Sequence, residues 1–200
     1  MRIKNVLANK SVMIRLGITL LLILVFRIAS FIPIPLFNVE LFVGNTQWGT
    51  GFLGILNSYT GQALSRFSVL SLGISPYITA SIAVQLLQMI IPQMKEWQEE
   101  GEVGKAKTAR TTRILAIVLG LAQALLLILG TGVRGSQIQV GVDSGFFTYL
   151  YMAIAVTAGT AFAIWIADTI TAKGIGNGSS ILIGIGVLTS IPVMIGTLSD

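Results

Sequence analysis

The stretch GQALSRFSVLSLGISPYITASIAVQLLQ, residues 61–88, decides the fold. Its first ten residues mix Gln62, Ser65, Arg66 and Ser68 with Leu64, Phe67 and Val69, too polar for a membrane helix and too apolar for a free loop. The remainder is a helical pattern in which Ile74, Ile78, Ser81, Gln85 and Gln88 recur at steps of four and three and so share one face. Ser75 and Thr79 lie beside that stripe. Amides and hydroxyls on a membrane helix face either water or other helices. The stripe therefore reads as the wall of a wet cavity or as interhelical hydrogen bonding in a packed bundle.

Upstream, residues 36–71 are too apolar for a loop and too broken by Gly44, Gly49, Gly51, Gly54 and Gly61 for a span. Irregular backbone at membrane depth needs protein or a water-filled cavity around it, so the segment reads as re-entrant. An amphipathic helix on the outer surface is the alternative. The whole chain has the same character. Its 200 residues are 54% hydrophobic and 10% charged, with mean hydropathy +0.84, whereas a soluble domain carries about 25% charged residues. A water-soluble enzyme is excluded. With no cysteine and no histidine, thiolate or imidazole metal sites and the usual triads are excluded too, and no cofactor or metal is expected.

A hydrocarbon core about 30 Å thick takes about 20 helical residues, which divides the chain into candidate spans at 16–35, 72–94, 114–131, 146–167 and 179–198. The first resembles a signal peptide in its basic flank, but its apolar run is too long and no small-residue cleavage site follows, so it reads as a retained span. Arg2, Lys4, Lys10 and Arg15 precede span 1, Lys95, Lys105, Lys107, Arg110 and Arg113 lie between spans 2 and 3, and Lys173 lies between spans 4 and 5. Only Arg66 and Arg134 fall on the other side, with Arg27 inside span 1. Ten against two favours a cytoplasmic N-terminus and a multi-pass protein of the cell membrane. The net charge of +5 thus reads as an orientation signal and not as nucleic-acid affinity. Five spans are expected to be half of a larger assembly, since transporters are commonly built as two related halves.

Ser179, Ile183, Gly186 and Ser190 form a stripe on span 5 like that on span 2, so these two spans read as lining one pore. Small residues recur every fourth position in span 3 (Ala116, Gly120, Ala124) and span 4 (Ala155, Gly159, Ala163, Ala167), a pattern for close helix packing. Gln123 is the exception, an amide that needs a partner. Gly130, Gly132 and Gly135, and likewise Gly174, Gly176 and Gly178, read as turns: neither cluster has the strand, lysine and hydroxyl context of a nucleotide loop. The charged segment 95–113 reads as a solvated loop that also offers a docking site for a cytoplasmic partner.

Four runs in order, FRIASFIPIP (26–35), residues 61–88, EGEVGKAKTARTTR (100–113) and KGIGNG (173–178), resemble the SecY family, the channel subunits of the bacterial Sec protein translocase. The resemblance covers nearly the whole chain and implies an all-α membrane protein: five transmembrane helices plus a short re-entrant plug helix, one half of an inverted-repeat channel. It implies a plug over about 57–70 that includes Asn57, Gly61, Leu64, Arg66, Phe67 and Leu70. It places Ile74, Ile78 and Ile183 at pore-ring positions, with Ser179 at a fourth where the family usually has a bulky aliphatic residue. Leu36 stands where the family often has glycine. Thr79 and Gln123 match a polar cluster at the lateral gate. The implied partners are the SecE and SecG subunits, the SecA motor or a translating ribosome, secretory and membrane polypeptides as substrates, and membrane lipid.

The function expected on this resemblance is a pore that passes unfolded polypeptides across the membrane and releases membrane segments sideways into the bilayer, with no catalytic residue of its own. Half of an ion-coupled small-molecule transporter is the other reading, for which Arg27 is the one clear intramembrane charge. An intramembrane enzyme is disfavoured, because the spans hold no pair of carboxylates, no histidine and no cysteine.

Overall fold

The structure, a computed structural model, describes residues 10–35, 55, 57, 60–130 and 145–198. The described residues are helical apart from turns and one isolated antiparallel bridge between Pro33 and Ser68. The helices are α1 (Lys10–Ser30), α2 (Ser75–Ile90), α3 (Pro92–Glu99), α4 (Glu102–Gly130), α5 (Phe146–Lys173) and α6 (Gly178–Leu198). Three are long and apolar enough to cross a membrane, Lys10–Ser30, Glu102–Leu129 and Phe146–Lys173, and Gly178–Ile191 is a shorter apolar helix.

Helix ends depart from the expected spans where proline and charge intervene. Span 1 was expected to reach residue 35, but α1 stops at Ser30, whose Oγ donates to Arg27 O at 2.7 Å. Pro33 and Pro35 cannot donate to a helical ladder and bias the residues before them towards extended backbone. The span expected over 72–94 is likewise divided: α2 has Pro76 in its first turn, where its missing N–H costs nothing, and ends at Ile91 (φ −94°, ψ 114°) ahead of Pro92. α4 begins at Glu102, twelve residues before the expected start at 114, so the charged segment is mostly helix and not a loop. Glu102 in the first turn complements the helix dipole. Lys105–Glu102 and Lys107–Glu100 ion pairs at 3.0 and 2.6 Å line its exposed side. The turn expected between α5 and α6 is present, with Gly176 at φ +78°. Gly132 and Gly135 lie outside the described residues.

α5 is the organising helix. It packs against α1, α4 and α6, while α2 and α3 pack on α4. The small-residue faces read from the sequence are the contact surfaces: Ala116, Ala124 and Ala163 are fully buried, and Ala167 nearly so. Ala80 of α2, Ala116 of α4 and Ile164 of α5 meet in one cluster. Large apolar side chains such as Leu20, Leu24, Val118, Leu126 and Trp165 instead point outward, as expected of helices whose solvent is lipid.

Gly159 of α5 makes the tightest demand, because a Cβ there would lie 1.9 Å from the carbonyl oxygen of Val69. Backbone at that distance cannot yield as a flexible side chain would. Gly159→Ala is expected to destabilise the bundle by about 1–3 kcal/mol, the usual cost of overpacking. Gly17→Ala, where a Cβ meets nothing within 4 Å, is expected to be neutral or mildly stabilising. Thermal unfolding of the two variants in detergent, followed by helical circular dichroism, separates these outcomes.

Candidate functional site

Between α1 and α2 the chain makes turns over residues 60–74. The resemblance implied a short helix over about 57–70, but Gly61 (φ +62°), Gln62 (φ 68°) and Phe67 (φ 44°) take left-handed conformations that interrupt a right-handed ladder. Asn57 organises the start of this segment. Its carbonyl accepts from Gln62 N at 2.8 Å and Thr60 Oγ1 at 3.1 Å, and its Oδ1 accepts from Ser65 N at 2.9 Å. The far side is stitched to the end of α1: Ile34 N donates to Phe67 O and Val69 N donates to Ile32 O, both at 3.1 Å. Ser68 Oγ accepts from Leu70 N at 3.2 Å, and Ser71 Oγ donates to Ser68 O.

Of the residues expected in the plug, Leu64, Phe67 and Leu70 are fully buried, Asn57 and Gly61 partly, and Arg66 is exposed over the ring of Phe31, 4.6 Å from its centroid. The segment is thus packed into protein and is not an amphipathic surface helix. That is what an irregular backbone at membrane depth requires.

Arg27 ties this segment to the bundle. From α1 its Nη2 donates to Ile185 O of α6 at 2.7 Å, and its Nη1 reaches Gly61 O at 3.5 Å. A Cβ at Gly61 would lie 2.5 Å from Nη1, so glycine serves here both the left-handed turn and the approach of the guanidinium. The sequence marked Arg27 as an intramembrane charge. It gave no sign of the partners, which lie 34 and 158 residues away.

A cavity of about 230 Å³ lies beside the segment, lined by Thr60, Leu72, Ile74, Ser75, Ile78, Thr79 and Ile183. Three of the four expected ring residues, Ile74, Ile78 and Ile183, therefore meet at one place, with Thr79 beside them. Ser179 does not join them. It sits in the first turn of α6, its Oγ donating to Asn177 Oδ1 at 2.6 Å, one turn before Ile183. Thr79 donates back to Ser75 O at 3.1 Å, and Gln123, partly buried on α4, has no hydrogen bond with it among the described residues. Thr60 and Leu72 were missed, because only the turns at 60–74 bring them to the cavity.

The stripe on α2 splits between its two readings. Ile74 and Ile78 face the cavity, whereas buried Gln88 donates from Nε2 to Thr108 Oγ1 of α4 at 2.9 Å, an interhelical bond. Exposed Gln85 reaches only Ser81 Oγ at 3.3 Å.

Apolar helices around a buried irregular segment and an isoleucine-lined cavity define a multi-pass helical membrane protein. The SecY family model matches residues 68–200. Protein translocase subunit SecY of Bacillus licheniformis is 45% identical over 191 residues, 95% of this chain and 44% of that protein. SecY of Bacillus subtilis strain 168 is 43% identical over 199 residues, 99% of this chain and 46% of that protein. The chain thus spans less than half the length of these curated relatives. Among solved structures, a protein-conducting channel superposes with TM-score 0.64 at 20% identity, over 90% of this chain and 37% of that one. Sec61 in the canine ribosome–channel complex from the endoplasmic reticulum matches with the same values. The chain belongs to the SecY family.

Removing the Arg27 cation leaves Gly61 O and Ile185 O without it. Hydrogen bonds to charged groups contribute about 1.5–3 kcal/mol, so Arg27→Met is expected to weaken the hold of α1 on α6, bonded at 2.7 Å, by about that much, and to loosen the 60–74 segment, contacted at 3.5 Å, by less. These 200 residues hold no cysteine, so Ser65→Cys gives a single reporter in a full-length protein from which any cysteine elsewhere has been replaced. Its reaction with a membrane-impermeant maleimide is expected to accelerate by about threefold in the Arg27→Met background. An unchanged rate removes the bracing role.

Proposed function

We propose that this chain is the N-terminal half of a passive protein-conducting channel of the cell membrane. The supporting observation is the convergence of Ile74, Ile78 and Ile183 on one cavity beside the buried segment at 60–74. Isoleucines around a constriction shed water and so block ions by dewetting, yet their side chains move aside for a polypeptide. On this reading residues 57–70 are the plug of the resting channel, and Leu64, Phe67 and Leu70 are its anchoring side chains. Thr79 on α2 and Gln123 on α4 belong to a lateral gate, where these two helices face the second half of the channel and part from it to release apolar segments into lipid.

The five spans, with a cytoplasmic N-terminus, then form one repeat, and a second repeat completes the pore. The relatives are translocase subunits, and the solved Sec61 structure is a ribosome–channel complex. Accordingly the proposed partners are SecE and SecG, with SecA or a translating ribosome supplying the drive and unfolded secretory or membrane polypeptides as substrates. Arg27 supports this reading over a solute transporter, because its guanidinium is directed at protein carbonyls.

The test uses the full-length channel protein that carries this segment. Replacing Ile74 and Ile78 together with serine is expected to raise resting ion conductance in planar bilayers by at least about tenfold, since a polar constriction stays wet. A photo-crosslinker at position 78 is expected to capture a stalled secretory chain. Unchanged conductance removes the seal, and no adduct with an engaged substrate removes the pore assignment.

A further inference from the structure

The lipid-facing side of the bundle holds a second cleft, between α4 and α5. It measures about 220 Å³ and is lined by Arg113, Ile117, Ala161, Ile164, Trp165 and Asp168. One end is charged: Arg113 Nε donates to Asp168 Oδ2 at 2.7 Å. The rest is apolar and opens outward, with Trp165 57% and Ile117 42% exposed. Trp165 stacks on Phe162, extending the apolar wall along α5.

The level of this cleft in the bilayer follows from α4. After Arg113 the helix runs apolar from 114 to 130, broken only by Gln123. At 1.5 Å per residue that run is about 25 Å long, close to the hydrocarbon thickness. Arg113 therefore stands at the headgroup boundary. Asp168 stands at the same level, with Thr169, Thr171 and Lys173 following it towards the end of α5. A tryptophan beside them is the residue expected at that depth.

The pair is not saturated. The Nε–Oδ2 bond uses one donor of the Arg113 guanidinium and one carboxylate oxygen of Asp168, which leaves the terminal nitrogens and the second oxygen without a hydrogen bond among the described residues, and the two side chains are 51% and 29% exposed. One face thus offers a planar donor array suited to phosphate, and an ångström-scale step away an acceptor suited to a cation. Below both lies an apolar trough of acyl-chain character. We propose that this cleft is a site for a zwitterionic phospholipid with a primary ammonium headgroup, the phosphatidylethanolamine class. Its phosphate lies on Arg113, its ammonium donates to Asp168, and one acyl chain runs past Ile117 and Trp165. A choline headgroup has no N–H to donate to Asp168, and a glycerol headgroup has no cation.

The site carries its own reporter in Trp165. In the full-length channel protein with Trp165 kept as the single tryptophan, quenching is measured in vesicles containing equal fractions of brominated phosphatidylethanolamine, phosphatidylcholine or phosphatidylglycerol. Brominated phosphatidylethanolamine is expected to quench about threefold more effectively than the choline lipid, the scale of one added hydrogen bond. Asp168→Asn is expected to remove that preference, and Asp168→Glu to retain it. Equal quenching by all three lipids overturns the site, and stronger quenching by phosphatidylglycerol assigns the cleft to anions read by Arg113 alone. A preference for phosphatidylethanolamine that survives Asp168→Asn overturns the headgroup assignment.

Discussion

A polypeptide inside a bilayer must satisfy its backbone polar groups from within, and residues 60–74 answer that constraint with bonded turns instead of a helix. Three sources of hydrogen bonds converge on them: Asn57 at the start, the extended chain beyond α1 at Ile32 and Ile34, and the serines at 68 and 71. The rest of the bundle follows from holding this segment. Gly159 is glycine because Val69 O presses on α5. α1 stops at Ser30 because the chain beyond it serves as a pairing edge for Phe67 and Val69. Arg27 stays inside the bundle because carbonyls of the segment and of α6 receive it.

Much of this was legible in the sequence, for identifiable reasons. Apolar length, the small residues of α4 and α5, and the unsuitability of 61–70 for a span all follow from local composition, and each corresponds to a feature of the structure. The glycine turn before α6 was readable because glycine punctuates a chain whatever its surroundings. Helix ends were less legible. Hydropathy marks where lipid contact begins, whereas a helix ends where its hydrogen bonds do, so α4 begins well before its apolar run and α1 ends before its own.

The candidate site was legible in part. Spacing identified Ile74, Ile78 and Ile183 as members of two faces, and the structure brings those faces to one cavity. Spacing alone did not separate Ser179 from Ile183, because both belong to the same helical stripe. The distinction is positional: Ser179 is in the first turn, where its hydroxyl is engaged by Asn177. Gln88 shows the converse. It shares the stripe with Ile78, yet its depth along α2 places it opposite Thr108 and gives it a structural bond. A stripe names a face, and the neighbouring helix at each level decides what the face does.

That division bears on how the waist of the proposed channel would seal. The pocket of about 230 Å³ among these isoleucines is partly open, with Thr79 exposed and Ile78 and Ile183 half-buried, whereas Gly159 of α5 admits no extra methyl group against Val69 O. A cavity with apolar walls and few polar partners holds water poorly. Among the described residues the walls supply Thr60, Ser75 and Thr79 as polar groups, and Ser75 and Thr79 are each engaged with a carbonyl of their own chain, Leu72 O and Ser75 O. On the proposed reading the two requirements meet in one place: apolar walls resist ions, and side chains that border an open pocket can change rotamer without displacing a packed neighbour. The α4–α5 interface and the place where α2 and α6 border the pocket are built differently, with small residues at the first and branched aliphatic residues at the second.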